Sequence, residues 1–242
     1  MSLNWKPADA PRKLSSYLGN NCNPGVETFS ISWTKDRSLI SGGSGHVALI
    51  GCDLQLRVCH TKTVRYADCI REFSDHYIAM LYNHTPSSYL QPLSKSLDTY
   101  GKSFAKMVPQ SFCHFCVTAS AVAVVNKSSI SIDIYDRMDL EMKKSIRTDL
   151  ASLRGIHALD DNTAVVTDHD THVVRLYELD TETVVWTYTG AKHPSGISSD
   201  AGGFIYVAAN EPKEICVLSP DGKAYPVYWY LFFCFWDPHT EN

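Results

Sequence analysis

His193-Pro-Ser-Gly-Ile-Ser-Ser-Asp-Ala-Gly-Gly-Phe-Ile-Tyr-Val-Ala-Ala-Asn210 places two short β-forming runs on either side of an Asp-Ala-Gly-Gly turn. It reads as strand, tight turn, strand, because Ile, Tyr and Val suit a pleated chain and glycine supplies the backbone angles a hairpin needs. Residues 215–218 add a third strand, and Ser219-Pro-Asp-Gly222 closes it with another turn. Such a meander has nothing to pack against by itself. Fainter copies upstream decide the fold.

The most apolar short strand of each copy lies at residues 38–41, 77–81, 121–125, 164–167 and 204–208. The turns after them open at Gly42, Asn83, Asn126, Asp168 and Ala209, spaced 41, 43, 42 and 41 residues apart. A period of about 40–45 residues with four strands per unit is the signature of a β-propeller blade. The fourth unit shows the chemistry best. Strands at 155–159, 163–167, 172–177 and 184–188 are filled by β-branched and aromatic residues, and Asp, Asn and Thr fill the turns between them. The third unit repeats this at 112–117, 121–125, 130–135 and 141–146. The last of these has some helical character, but the repeat assigns it to an outer strand. The first unit reads as 28–33, 38–41, 46–51 and 57–62, with Gly42-Gly-Ser-Gly45 as a hairpin turn. The second is the least regular, and Pro86 and Pro92 limit its third strand to an edge or a broken ladder.

The chain therefore reads as all-β: four-stranded antiparallel blades, five of them recognisable, spanning residues 25–224. A linker or closing strand precedes them (1–24, candidate 13–18), and an aromatic tail that does not follow the repeat (225–242) comes after. With 44% hydrophobic and 20% charged residues it can bury a core. A net charge of −4 argues against nucleic-acid binding through global positive charge, though a local basic patch remains compatible with it. The N-terminus lacks the apolar stretch of a secretory signal, and no run reaches the ~18 apolar residues of a membrane span. A cytoplasmic protein with reduced thiols at its eight scattered cysteines and no membrane partner is expected.

Chemistry-bearing clusters are few. Cys113-His-Phe-Cys116 has no second paired spacing to complete a zinc site and reads as small side chains on an inner strand. Asp168-His-Asp-Thr-His172 alternates carboxylates and imidazoles, but falls where the repeat places an ordinary turn. No nucleophile elbow, zinc-protease helix or phosphate loop occurs. The basic residues Arg137, Lys143, Lys144, Arg147 and Arg154 read as a solvated face. No catalytic residue, metal or cofactor, and no small-molecule substrate, is expected.

The fifth unit resembles the NHL repeat of six-bladed propellers. The likeness rests on His193-Pro-Ser-Gly-Ile-Ser-Ser-Asp200, Gly203-Phe-Ile-Tyr-Val-Ala208 and Glu214-Ile-Cys-Val-Leu-Ser-Pro-Asp-Gly222. The fourth unit matches at Gly155-Ile156, Val165-Val-Thr-Asp168 and Val174-Arg-Leu-Tyr177, and the first at residues 29–36. Taken together, the chain is similar to the C-terminal propeller of tripartite-motif (TRIM) proteins. The resemblance implies a module that binds a protein, or structured RNA, through one loop face. The ubiquitin-transfer activity of that family belongs to a RING that these cysteine and histidine spacings do not form. The family pattern wants a sixth blade, so a truncated or atypically ended chain is expected.

In a propeller, the loops from second to third strand share one face with the crossovers between blades. That face collects residues 42–45, 83–85, 126–129, 168–171 and 210–213, with crossovers at 107–111, 149–154 and 191–195. Arg154, Asp168, His169, Lys192, His193, Asn210 and Lys213 are the candidate partner-binding residues, because binding residues concentrate on loops held by a rigid scaffold. Two other readings stay open. One is a six-bladed hydrolase or lyase with a channel metal, for which the inner strands offer mainly Ser30, Ser32, Cys69, His114, His157 and Ser198. The other is a non-functional fragment of a TRIM-like ligase.

Overall fold

The computed structural model describes residues 28–33, 39–50, 58–73, 76–82, 87–94, 96–98, 104–109 and 112–225. Every regular element among them is a β-strand. The chain divides between residues 110 and 111 into two compact units.

The first unit is one antiparallel meander of six strands in chain order: β1 (Thr28–Trp33), β2 (Leu39–Ile50), β3 (Val58–Phe73), β4 (His76–Tyr82), β5 (Ser87–Leu93) and β6 (Phe104–Pro109). Two separate four-stranded blades were expected here, and the structure corrects that. Gly42 and Gly43 lie opposite Ser30 and Thr28, while Ser44 and His46 lie opposite Tyr66 and Thr63, so the predicted turn at 42–45 is inside β2. The physical reason is β3, whose 16 residues pair with β2 along one half and β4 along the other. Register slips near the glycines absorb the mismatch as bulges, a place where strands tolerate glycine. Pro92 does not make β5 an edge: β5 lies between β4 and β6, and the β4 ladder runs through Pro92 opposite Ile78 to Leu93 opposite Tyr77. The expected turn at 83–85, the candidate closing strand at 13–18 and the tail beyond Tyr225 lie outside the described residues.

The second unit follows the repeat. Its three sheets are β7 (Phe112–Val117) to β10 (Met142–Arg147), β11 (Leu153–Ala158) to β14 (Thr183–Tyr188), and β15 (Lys192–Ser199) to β18 (Ala224–Tyr225). Between these ends run β8 (Ala121–Asn126) and β9 (Ser131–Asp136), β12 (Thr163–Asp168) and β13 (Val173–Glu178), and β16 (Ile205–Glu211) and β17 (Glu214–Leu218). The segment with helical character is the outer strand β10, as the repeat requires. The two-residue β18 is a fourth strand that the sequence pattern missed, and β16 runs past Ala209 to Glu211.

In the middle sheet β12 is buried on both faces, which explains why it reads as a continuous apolar run rather than an alternation. Ala164 and Val166 pack with Ala123, Val125, Ile132 and Ile134 of the preceding sheet. Val165 points the other way, with Val174 of its own sheet, into Ile205, Val207 and Leu218 of the next. Burial of such aliphatic side chains contributes about 1.5–3 kcal/mol each, which makes these two layers the main adhesive of the unit.

Turn chemistry repeats with the fold. The first turn of each sheet opens on a side-chain oxygen that accepts two backbone amides: Thr118 from Ser120 and Ala121, Asp160 from Asn162 and Thr163, Asp200 from Gly202 and Phe204. The central turns end in left-handed residues at Ile130, His172 and Lys213, one per sheet. Contacts between sheets also fall at the repeat spacing. Asp161 accepts the Ala119 amide at 2.6 Å, and His157 Nε2 meets Ser199 Oγ at 2.9 Å. Gly222 has φ +80° and lies so close under Trp186 that a Cβ there would come within 2.6 Å of the ring, while Trp186 donates to the Pro220 carbonyl at 3.0 Å.

Candidate functional site

In the second unit the β8–β9, β12–β13 and β16–β17 turns emerge at the same end as the β10–β11 and β14–β15 crossovers. Backbone bonds join them: Thr148 donates to the Ile130 carbonyl and His169 to the Ser152 carbonyl. All seven candidate residues lie in this unit, and six reach that end as exposed or half-buried side chains.

Asp168 is the exception and is corrected from a presented residue to an internal one. It is 0% exposed at the end of β12. One carboxylate oxygen accepts the amides of Asp170 and Thr171, and the other those of Ala151 and Ser152 from the crossover. Burial pushes its carboxyl pKa up, but these hydrogen bonds, Thr171 and Ser152 foremost, outweigh it and hold the group below the ordinary aspartate value. Its counterpart Asn126 builds the same turn, accepting Ser128 and Ser129 amides, and spends its amide on the buried Asp133. Thr167, next to Asp168, bridges sheets: its hydroxyl accepts the Gly155 amide at 2.8 Å and donates to the Ser195 carbonyl at 2.9 Å.

His169, His193 and Asn210 are brought together. The His169 and His193 rings lie 4.7 Å apart, and Asn210 Nδ2 stands 3.5 Å from His169 Nε2. His172 joins them edge-on to His193 at 4.2 Å, a participant that sequence reading left in an ordinary turn. Asp170 hydrogen-bonds His169 at 2.8 Å, and that bond, with support from Ser152 and Arg154, keeps the Asp170 carboxyl below its usual range. Glu211 stands 3.9 Å from His193 Nε2. Among the described residues no group of three or more His, Cys, Asp or Glu is arranged to hold a metal ion.

Around this cluster stand Arg154, Lys192 and Lys213, all exposed, with Lys127 and Arg147 further along the same end. Among the described residues none of these five forms an ion pair. The opposite end differs. Arg137 donates to the Ala119 carbonyl, Lys143 pairs with Asp136, Lys144 donates to the Leu179 carbonyl and Lys223 pairs with Asp221. Those cations are spent on the protein itself, among the carboxylates Asp139, Glu141, Asp160, Asp161, Asp180 and Glu182. One end of the unit is thus basic with unspent charge and the other acidic. The sequence signal for this is the placement of each Lys or Arg relative to the turn phase of the repeat.

Of the inner-strand candidates, Cys69 is buried at 0% exposure. His157 is engaged with Ser199 across sheets. Cys116 is buried in the core. Burial, with Glu214 alongside, pushes the Cys216 thiol up to about 11, so it stays protonated rather than nucleophilic. Among the described residues no helix is long and apolar enough to cross a membrane.

No protein-family model matches the chain, and no curated protein matches it in sequence. Solved structures do resemble it. A protein of unknown function from Bacteroides caccae superposes with a TM-score of 0.65 at 12% identity, over 83% of this chain and 80% of that one. The WD40 β-propeller domain of Doa1 gives 0.61 at 14% identity, over 81% of this chain and 66% of its own. With the four-stranded antiparallel sheets described above, these likenesses show an all-β propeller fold.

Proposed function

We propose that the chain is a non-enzymatic interaction module of NHL-like type, whose basic end in residues 112–225 binds an acidic segment of a protein partner. The observation that carries this is the charge asymmetry: Arg154, Lys192 and Lys213 stand exposed and unspent around the imidazole cluster, while the cations of the opposite end are consumed internally. Unspent charge on loops held by a rigid scaffold is available for steering and for pairing on binding. The NHL-like reading itself rests on the sequence pattern at 193–222. Asp149, Asp170 and Glu211 are interleaved with the cations, a mixture that suits a protein surface better than a polyanionic backbone.

Simultaneous reversal of Arg154, Lys192 and Lys213 to Glu is expected to weaken partner capture roughly five- to a hundredfold, since each rim pair is worth a few tenths to about 1 kcal/mol. The fold should be unaffected, because all three side chains are solvated. Quantitative affinity capture from nuclease-treated extract measures this. Undiminished capture by the triple variant contradicts the proposal, and capture that vanishes on RNase treatment transfers the face to RNA.

A further inference from the structure

We infer that His169, His172 and His193 form a proton-sensitive latch that holds the β14–β15 crossover closed only while His172 is neutral. This goes beyond the binding reading and can be tested without any partner. The His193 backbone N–H points at Nδ1 of His172 at 3.0 Å. An N–H can only donate, so Nδ1 must accept, and the His172 proton must sit on Nε2. A protonated imidazole has no lone pair. Charging His172 therefore removes the bond and turns two donors toward each other. Both ends of this bond are left-handed non-glycine residues, with φ +60° at His172 and +48° at His193. The left-handed angle at His172 belongs to the repeat, shared with Ile130 and Lys213, but that at His193 has no counterpart in the other described crossover. Such a backbone persists only where its surroundings hold it.

The groups facing the cluster sharpen the assignment. From the β12–β13 turn, Asp170 bonds His169, and Asp168 is consumed by backbone amides. From β16, Glu211 reaches toward His193 and Asn210 toward His169. Arg154 of β11 acts on Asp170, Lys192 of β15 and Lys213 of the β16–β17 turn are exposed, and Arg175 of β13 is already paired with Asp149. A charge on His169 or His193 thus has a carboxylate to pair with. Among the described residues no carboxylate forms an ion pair with His172, which carries the acceptor role. Nδ1 of His193 is buried and makes no hydrogen bond, so the His193 ring has no second anchor of its own.

A latch that needs neutral His172 opens as acid protonates that ring and closes as base removes the proton. Amide exchange at His193, corrected for intrinsic rate, is expected to gain up to about tenfold in opening per pH unit once His172 protonates in the open form. His172→Asn keeps an acceptor oxygen and a residue at ease in the left-handed region, but does not titrate. It should keep protection at neutral pH and remove the pH dependence. Imidazole ¹⁵N shifts of the wild-type protein give a second readout and should show the Nε2–H tautomer at His172 at pH 7.5. A wild-type Nδ1–H tautomer, or the same acid loss of His193 protection in His172→Asn, overturns the latch.

Discussion

Asp168→Ala is expected to destabilise the second unit by about 2–4 kcal/mol. The carboxylate accepts four backbone amides, two from its own turn and two from the crossover before β11. Each donor left unmet on a buried group costs roughly 1–3 kcal/mol, and the part-buried position of some of them reduces the sum. Asp168→Asn separates the two jobs. Asparagine already occupies the same position in the preceding sheet, where it builds the turn through its Oδ1. It should keep the bonds to Asp170 and Thr171, place an amide donor against Ala151 and Ser152, and lose about half as much. Because the folded carboxyl is held below its unfolded value, the contribution is fully present above the ordinary aspartate range. It is lost as pH falls through the folded value. The gap in melting temperature between wild type and Asp168→Asn should therefore narrow on acidification toward about pH 3. A gap that stays constant from pH 7 to pH 3 contradicts the role given to the charge.

Gly155→Ala is expected to cost about 3–5 kcal/mol, for a reason unrelated to backbone freedom. A Cβ at Gly155 would collide with the backbone carbonyl of Ser195 and come within 2.9 Å of Thr167 Oγ1 and 3.1 Å of Ile197 Cγ2. The neighbour that must yield is main chain of the adjacent inner strand, so a rotamer change cannot relieve it. Overpacking alone costs about 1–3 kcal/mol, and here it also parts the Gly155–Thr167–Ser195 hydrogen-bond bridge. Gly196, on the neighbouring inner strand, is the matched control. A Cβ there meets only Ala208 Cβ at 3.7 Å, ordinary van der Waals contact. Gly196→Ala should change stability by less than about 0.5 kcal/mol, as surface-like substitutions do. At about 2–4 °C per kcal/mol for a chain of 242 residues, thermal melts should place Gly155→Ala roughly 10 °C below wild type. Equal melting of the two variants would refute the close approach of β11 and β15.

The strands of the second unit were legible because the local and repeat signals agree. Residues 163–168 carry β-branched side chains, polar residues bound them, and the neighbouring units sit one period away. The first unit was misread where those signals conflict. Gly42-Gly-Ser-Gly45 is turn chemistry by composition, yet a long partner strand recruits it into β2, and pairing outweighs local preference. Ala224-Tyr225 is too short to carry any periodicity. In the candidate site, the turns and exposed cations followed from the repeat phase. Asp168 did not, because a polar residue opening a turn looks the same whether its carboxylate faces water or four amides. The contact of His172 with His193 spans 21 residues and depends on how adjacent sheets stack, which no local pattern encodes.

The most direct measurement of the central claim is site-specific photo-crosslinking from the two ends of the second unit. A photoreactive residue replaces Lys213 in one protein and Met138, which is 82% exposed in the β9–β10 turn of the opposite end, in another. The charge asymmetry predicts a discrete adduct from position 213 that the Arg154, Lys192 reversal suppresses, and none from position 138. An adduct from position 138 with none from 213 would place the partner on the acidic end and contradict the proposed face.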